Sequence, residues 1–267
     1  MMGRHRRSRA APFLAALLLG AASCASARTL VVCADPNNLP FSNKARQGFE
    51  NKIAELVARD LSARIEYVWW AQRRGFARNT VNAAKCDLWA GVATGVEMLA
   101  TTVPYYRSTY VFLTRADRPL SGLSLDDQRL RQLSIGVQMI GNDATNTPPA
   151  HALSRRGLIQ NVRGFTLYGD YRKPDPPSAI VSAVAAGDVD VALVWGPLAG
   201  YFAEKSATKL RIEPVTPALD GALPMCFDIG MGIRKDAPDL KNEIEAILAR
   251  EKPAINATLR QYGVPLS

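Results

Sequence analysis

Catalytic and metal centres draw on a short set of side chains, and this chain is poor in them. It carries two histidines, His5 and His151, and His5 sits in a leader-like N-terminus. One remaining histidine rules out a Ser-His-Asp triad or a multi-histidine metal site. No Gly-x-Ser-x-Gly elbow, P-loop or Rossmann glycine pattern occurs. Nothing positive supports an enzyme or a bound cofactor. The distinctive chemistry is aromatic: Trp69, Trp70, Trp89 and Trp195 fall near expected strand ends, with Tyr105, Tyr106 and Tyr110. Such a wall suits a planar ligand or an inserted loop, although alternate members can equally fill a core. The core is favoured for mid-strand Trp89, and a ligand-facing position for Trp70 and Trp195. Asp35 stands before Pro36 and is an ordinary turn former; Asp126 and Asp127 fit a helix cap better than a site.

The elements that must position these residues alternate in type. Thr29–Ala34 is a short apolar β-rich run closed by the turn cluster Asp35-Pro36-Asn37-Asn38. Phe49, Ile53, Leu56 and Val57 recur at helical spacing and predict a helix to about Leu61. Arg64–Trp69 alternates like a strand, Phe76–Ala84 predicts a helix, and Asp87–Val92 a buried strand. This βαβαβ order implies a parallel sheet. Tyr105–Leu113 then predicts a long strand. A second series follows: strand Leu133–Val137, helix Ala150–Arg156, strand Gly164–Leu167, helix Ser178–Ala186 and strand Val189–Trp195. Leu210–Pro214 and Met225–Arg234 predict two more strands, and Leu240–Ala249 and Pro253–Tyr262 an amphipathic helix pair.

The N-terminus carries Arg4, Arg6, Arg7 and Arg9, then the apolar run Phe13–Leu19 and the small-residue site Ala25-Ser26-Ala27. This is the pattern of a cleaved secretory signal over residues 1–27. Cys24 after Ala22-Ser23 offers a lipoprotein alternative, but the residue three before it is Ala21 rather than a bulky aliphatic. Cleavage after Ala27 is expected, leaving Arg28 first. The run is too short to stay in a membrane, which takes about 20 apolar residues. The expected product is periplasmic, with no membrane attachment. Removing residues 1–27 deletes four arginines and no acid, so the formal charge falls from +9 to +5. That mild surplus favours weak attraction to acidic surfaces. No Lys/Arg stripe with interleaved aromatics points to nucleic acid.

Six marks occur together: Cys33-Ala34-Asp35 through Leu39-Pro40-Phe41, Gly48-Phe49-Glu50, Cys86-Asp87-Leu88 through Ala90-Gly91, Pro104-Tyr105-Tyr106, Leu125-Asp126-Asp127, and Gly187 through Ala192. In this order the chain resembles the type II periplasmic binding proteins, the amino-acid-binding branch of ABC-transporter solute receptors, over nearly all of residues 29–263. The resemblance implies a two-lobed α/β fold whose hinge is two crossing strands, near Arg107–Tyr110 and Cys226–Gly230. Lobe 1 would comprise residues 28–108 and 229–267, and lobe 2 residues 109–228. Ligand would sit between the lobes, outside the carboxyl ends of the strands.

Two departures bear on the ligand. The receptors clamp a ligand carboxylate with an arginine after the Ala-Gly strand, whereas Val92–Leu99 contains none. They hold the ammonium with an acid after the second lobe's strand, where this chain reads Val194-Trp195-Gly196-Pro197. An ordinary amino acid would leave two buried charges unpaired, at several kcal/mol.

The phrases Val32–Asn43, Tyr67–Phe76 and Pro104–Phe112 are similar to the quinoprotein-dehydrogenase-associated periplasmic proteins, the MxaJ/XoxJ-like accessories of methanol oxidation. That resemblance implies a helper of a pyrroloquinoline-quinone (PQQ)-dependent methanol dehydrogenase, acting in partner binding or maturation. The alternative is a transporter-fed receptor for a small non-amino-acid solute. A third possibility is an enzyme on the same scaffold, of the cyclohexadienyl-dehydratase kind. The resemblance places ligand contacts at Asp35 and around Asn142 and Asp143. Arg73, Arg74 and Arg107 are candidates to replace the lost anchor for an acidic ligand, and Tyr105, Trp70 and Trp195 for a planar one. Of the three cysteines left by signal cleavage, Cys33 and Cys86 are expected to pair, because export is oxidising and Cys226 lies alone in the return hinge. Cys33 ends its strand and Cys86 begins one that is adjacent and parallel, so simple register would hold them beyond the roughly 7 Å Cα limit.

Overall fold

The structure, a computed structural model, describes residues 28–140 and 146–266. The leader at 1–27 and the candidates Asn142 and Asp143 lie outside the described residues. The chain runs β1 (Thr29–Ala34), α1 (Phe49–Asp60), β2 (Arg64–Trp69), α2 (Phe76–Asn79), β3 (Leu88–Ala93), β4 (Tyr106–Arg115), β5 (Ile135–Met139), α3 (Pro148–Arg155) and β6 (Val162–Thr166). It continues through α4 (Ala179–Ala186), β7 (Val191–Trp195), α5 (Gly196–Glu204), β8 (Leu210–Pro214), β9 (Cys226–Ile233), α6 (Pro238–Arg250) and α7 (Lys252–Gln261).

Strand order is β2-β1-β3-β9-β4-β7-β5-β6, with β8 also paired to β4. β1 pairs in parallel with β2 and β3, and β5 with β7 and β6, so each βα series builds its own parallel sheet. The long strands β9 and β4 join them. β9 runs antiparallel to β3 through Ile229–Ile233 and to β4 through Cys226–Ile229. β4 pairs with β9 over Tyr106–Thr109 and then with β7 from Tyr110 onward. Two lobes thus share two hinge strands.

α1 forms where the apolar spacing predicts it, and Phe49, Ile53, Ala54 and Val57 are almost fully buried against the first sheet. Arg59 in the last turn suits the helix dipole. Phe49 meets Phe41, Tyr106 and Tyr262 edge-on, with centroids 5.4, 5.9 and 6.0 Å apart. It therefore ties α1 to the hinge and to α7. Gly48 opens this helix with an ordinary φ of −81°. A Cβ there would stand 1.9 Å from the Phe41 carbonyl oxygen. Because that atom is backbone, Gly48→Ala is expected to destabilise the protein by about 1–3 kcal/mol. Urea unfolding checks it; an alanine variant as stable as the parent contradicts it.

α4 ends at Gly187, whose φ of +82° is the left-handed C-cap conformation. α5 is an element that sequence periodicity did not predict. Its opening Gly196-Pro197 has the look of a turn, yet proline is tolerated in the first helical turn. Gly196 and Gly200 let it lie on β4 and on the turn at Gly263, where Cβ atoms would come within 2.6 and 1.9 Å of backbone oxygens. The predicted Phe76–Ala84 helix is shorter: α2 stops at Asn79, and a 3₁₀ turn spans Val81–Ala83. Asp127 caps the 3₁₀ turn Gln128–Gln132 by accepting from the Arg129 amide at 2.8 Å, while Asp126 pairs with Arg156. Among the described residues no helix is long and apolar enough to cross a membrane.

Candidate functional site

Side chains alternate across a strand, and the pairing of the hinge strands sets which alternate set faces the gap between lobes. Register matches Phe227 with Ser108 and Ile229 with Tyr106. Tyr106, Tyr110, Phe227 and Ile229 accordingly line a cavity of about 210 Å³ between the lobes. Trp195, at the end of β7, closes one side: its ring is 5.2 Å from Tyr110 and 6.0 Å from Phe227, both edge-on. Phe41, Leu167, Tyr168 and Leu198 complete the apolar lining.

The polar lining is almost uncharged. Asn38 donates to Gln72 Oε1 at 3.2 Å, and Gln138, a buried amide in an apolar strand, accepts from the Trp195 backbone at 2.9 Å. Tyr110 and Tyr168 keep their protons: burial raises both phenols, Tyr168 to about 12. Among the described lining residues the one carboxylic acid is Glu50. Its carboxyl lies on Gly91, where a Cβ would come within 1.8 Å of Oε1. Burial first, then the Asp35 charge, raises Glu50 to about 8. No lysine or arginine is among the described lining residues.

Asp35 is buried at the mouth of this cavity and is fully engaged. Oδ1 accepts from the Asn37 amide at 2.8 Å and Oδ2 from the Gln72 amide at 2.6 Å. The Tyr171 hydroxyl, from the loop after β6, also donates to Oδ2. Arg73 lies 4.8 Å from the centre of the Tyr171 ring, and Asn37 Nδ2 donates to the Lys173 carbonyl at 3.0 Å. These contacts clasp the first lobe to the second. Tyr171→Phe removes the donor and keeps the ring. It is expected to cost about 1–3 kcal/mol and to speed amide exchange around Gly169–Lys173. Unchanged exchange there would show that the clasp holds nothing.

No protein-family model matches the chain. Protein MoxJ of Methylorubrum extorquens is 37% identical over 253 residues, covering 90% of this chain and 82% of the relative. Protein MoxJ of Paracoccus denitrificans is 31% identical over 260 residues, 94% of each chain. The chain belongs to the MoxJ family. The crystal structure of the periplasmic binding protein XoxJ from Methylobacterium extorquens superposes with a TM-score of 0.73 at 35% identity, covering 90% of this chain and 99% of that one. MxaJ from Methlophaga aminisulfidivorans gives 0.75 at 26% identity, covering 90% and 100%. The MoxJ-family chain thus has the type II periplasmic binding fold.

Within this MoxJ-family site the residues anticipated from sequence separate. Trp195 lines the cavity and Asp35 clasps its mouth. Tyr105 is not among the residues lining the cavity: it is buried beside Tyr106, the ring centroids 4.9 Å apart, and its hydroxyl donates to the Ala90 carbonyl at 2.9 Å. Arg107 alternates with Tyr106 along β4 and is exposed on the other face of the hinge. It pairs with Asp228 at 2.9 Å and donates to Cys226 Sγ at 3.1 Å, so it anchors nothing in the cavity. Trp70 is 41% exposed, one residue past β2, with Lys85 Nζ 4.8 Å from its ring centre. Arg73 lines an outer groove with Arg74, Ile140 and Tyr168. Cys33 and Cys86 are joined by a disulfide with Cα atoms 5.6 Å apart. Cys33 is in register with Trp89, and the chain before β3 folds back to bring Cys86 beside it. Sequence reasoning missed Glu50, Gln138, Tyr168, Tyr171 and Phe227. Only Gln138, a lone amide within Ile135–Met139, carried a sequence signal of its own.

Proposed function

We propose that this protein is a periplasmic accessory of a PQQ-dependent methanol dehydrogenase, which binds the dehydrogenase directly and is not itself an enzyme. Its relatives named MoxJ, MxaJ and XoxJ support the setting. The observation that carries the binding role is the interlobe cavity, apolar and aromatic, with no lysine or arginine among its described lining residues to clamp a ligand carboxylate. A free amino acid placed there would bury its carboxylate without a partner, which costs several kcal/mol. The exposed Trp70 ring, flanked by Lys85, supplies the kind of anchor that dominates protein interfaces.

Titration calorimetry of the protein from Arg28 onward against a panel of amino acids and against purified dehydrogenase tests this. Saturable binding of the dehydrogenase is expected, with no heat from any amino acid. Association should slow with added salt, since exposed charges are screened over about 8 Å at physiological ionic strength. Trp70→Ala should weaken the complex by about 2 kcal/mol or more. Micromolar binding of an amino acid, with no affinity for the dehydrogenase, would instead favour a transporter-fed receptor.

A further inference from the structure

We propose that the interlobe cavity is a binding site for a small organic cation of the alkylammonium class, with Glu50 as counter-ion and Tyr110, Trp195 and Phe227 as the aromatic walls. The ligand class goes beyond the accessory role and does not depend on it.

Glu50 is the observation that requires an explanation. Its carboxyl is buried and borders an open cavity, and no hydrogen bond to it is found among the described residues. The Tyr105 hydroxyl donates instead to Ala90, and the Gln72 backbone amide and the Tyr171 hydroxyl to Asp35. A buried acid without donors stays neutral or receives a cation. Helix dipole and turn chemistry do not place it there, since it faces Gly91 of β3, whose missing side chain makes the room. The second observation is independent of Glu50. Six aromatic rings border the same space, and aromatic faces attract desolvated cations, most strongly those that water holds weakly. An anion would meet the Glu50 carboxyl and, among the described lining residues, no lysine or arginine.

Size narrows the class. A cavity of about 210 Å³ is smaller than the roughly 300–1,000 Å³ of sites for drug-sized ligands. It holds a compact ion rather than a nucleoside or a peptide.

Binding must ionise Glu50, so affinity should depend on pH. Around Glu50 the other ionisable groups are Asp35, fixed by three hydrogen bonds, and Tyr105 and Tyr106 of β4. Both phenols are raised well above 10 by burial and stay neutral. With Glu50 near 8, about a tenth is ionised at pH 7 and most at pH 9.

Tetramethylammonium chloride is the probe, because it has no proton of its own to titrate. It is compared with tert-butanol, a neutral molecule of similar shape, with pivalate as the anion, and with sodium chloride for ionic strength. Tryptophan fluorescence and calorimetry read binding to the protein from Arg28 onward. Saturable tetramethylammonium binding is expected, roughly tenfold tighter at pH 9 than at pH 7, and at least tenfold tighter than tert-butanol at pH 9. Glu50→Gln should weaken it at least tenfold at pH 9 and remove the pH dependence, and Trp195→Leu should weaken it with the pH dependence intact. Circular dichroism confirms that both variants fold. Equal affinity for tert-butanol, preference for pivalate, no binding at millimolar concentration, or an unaffected Glu50→Gln would each overturn the assignment. Dehydrogenase binding is a separate readout, so failure here leaves the accessory role standing.

Discussion

Glu50→Gln should make the protein more stable than its parent above pH 8, by several kcal/mol, while leaving the two alike near pH 5. The folded carboxyl holds its proton up to about 8, against 4.5 for the ordinary group. Between those values the folded state binds a proton that the unfolded state has released. Stability therefore falls as pH rises through this window, and the loss is complete above the folded value. A shift of that size corresponds to about 4–5 kcal/mol at 1.36 kcal/mol per unit, an upper figure for a group beside a cavity that admits water. Glutamine matches the neutral carboxyl in shape and never ionises, so its profile should be flat across the same range. Urea unfolding at pH 5, 7 and 9 measures both curves, and parallel curves for the two proteins would refute the assignment of a neutral Glu50.

This carboxyl also shows where sequence reasoning reached its limit. Phe49, Ile53 and Val57 announce α1 through their spacing, and nothing in that spacing marks Glu50, one more charged residue of the helix. Its burial follows from Gly91, some forty residues later, and no local pattern links the two. The hinge repeats the lesson in a simpler form. Tyr105–Leu113 is legible as a strand because its residues are β-branched and aromatic, but the phase facing the cavity is set by pairing with β9. Period-2 alternation offers two choices, and sequence alone does not choose between Arg107 with Thr109 and Tyr106 with Tyr110. Trp195 was legible because it ends a strand of continuous apolar residues, where an α/β sheet presents side chains to ligand. Tyr171 was not, since it stands in a loop with no periodicity, Asp170 to Asp175, and gains its role only from meeting Asp35 across the lobes.

Removing the Cys33–Cys86 disulfide should cost about 4 kcal/mol. The bridge closes a loop with a sequence separation of 53, and the chain-entropy relation gives about 3 kcal/mol for a 15-residue loop and 4.7 for 100. The bridge also does local work. α2 has four residues, too few to persist on helical propensity. What holds this segment is a small cluster in which Cys33, Phe76, Val81 and Cys86 are almost fully buried, partly covered by Trp89. Phe76 and Trp89 pack with centroids 4.8 Å apart. Cutting the bridge removes the covalent link within that cluster. Exchange of amides from about Gly75 to Cys86 should accelerate first, well before global unfolding. Gln72 leads into that segment and donates to Asp35, so the mouth of the cavity should loosen with it. A Cys33→Ala/Cys86→Ala variant, compared with the parent by urea unfolding and amide exchange, reads both effects. Cys226 lies elsewhere, against Arg107, and Cys226→Ala is the control that should leave the segment unchanged. A double variant within 1 kcal/mol of the parent, with no faster exchange near Cys86, would mean that packing alone supports this corner of the lobe.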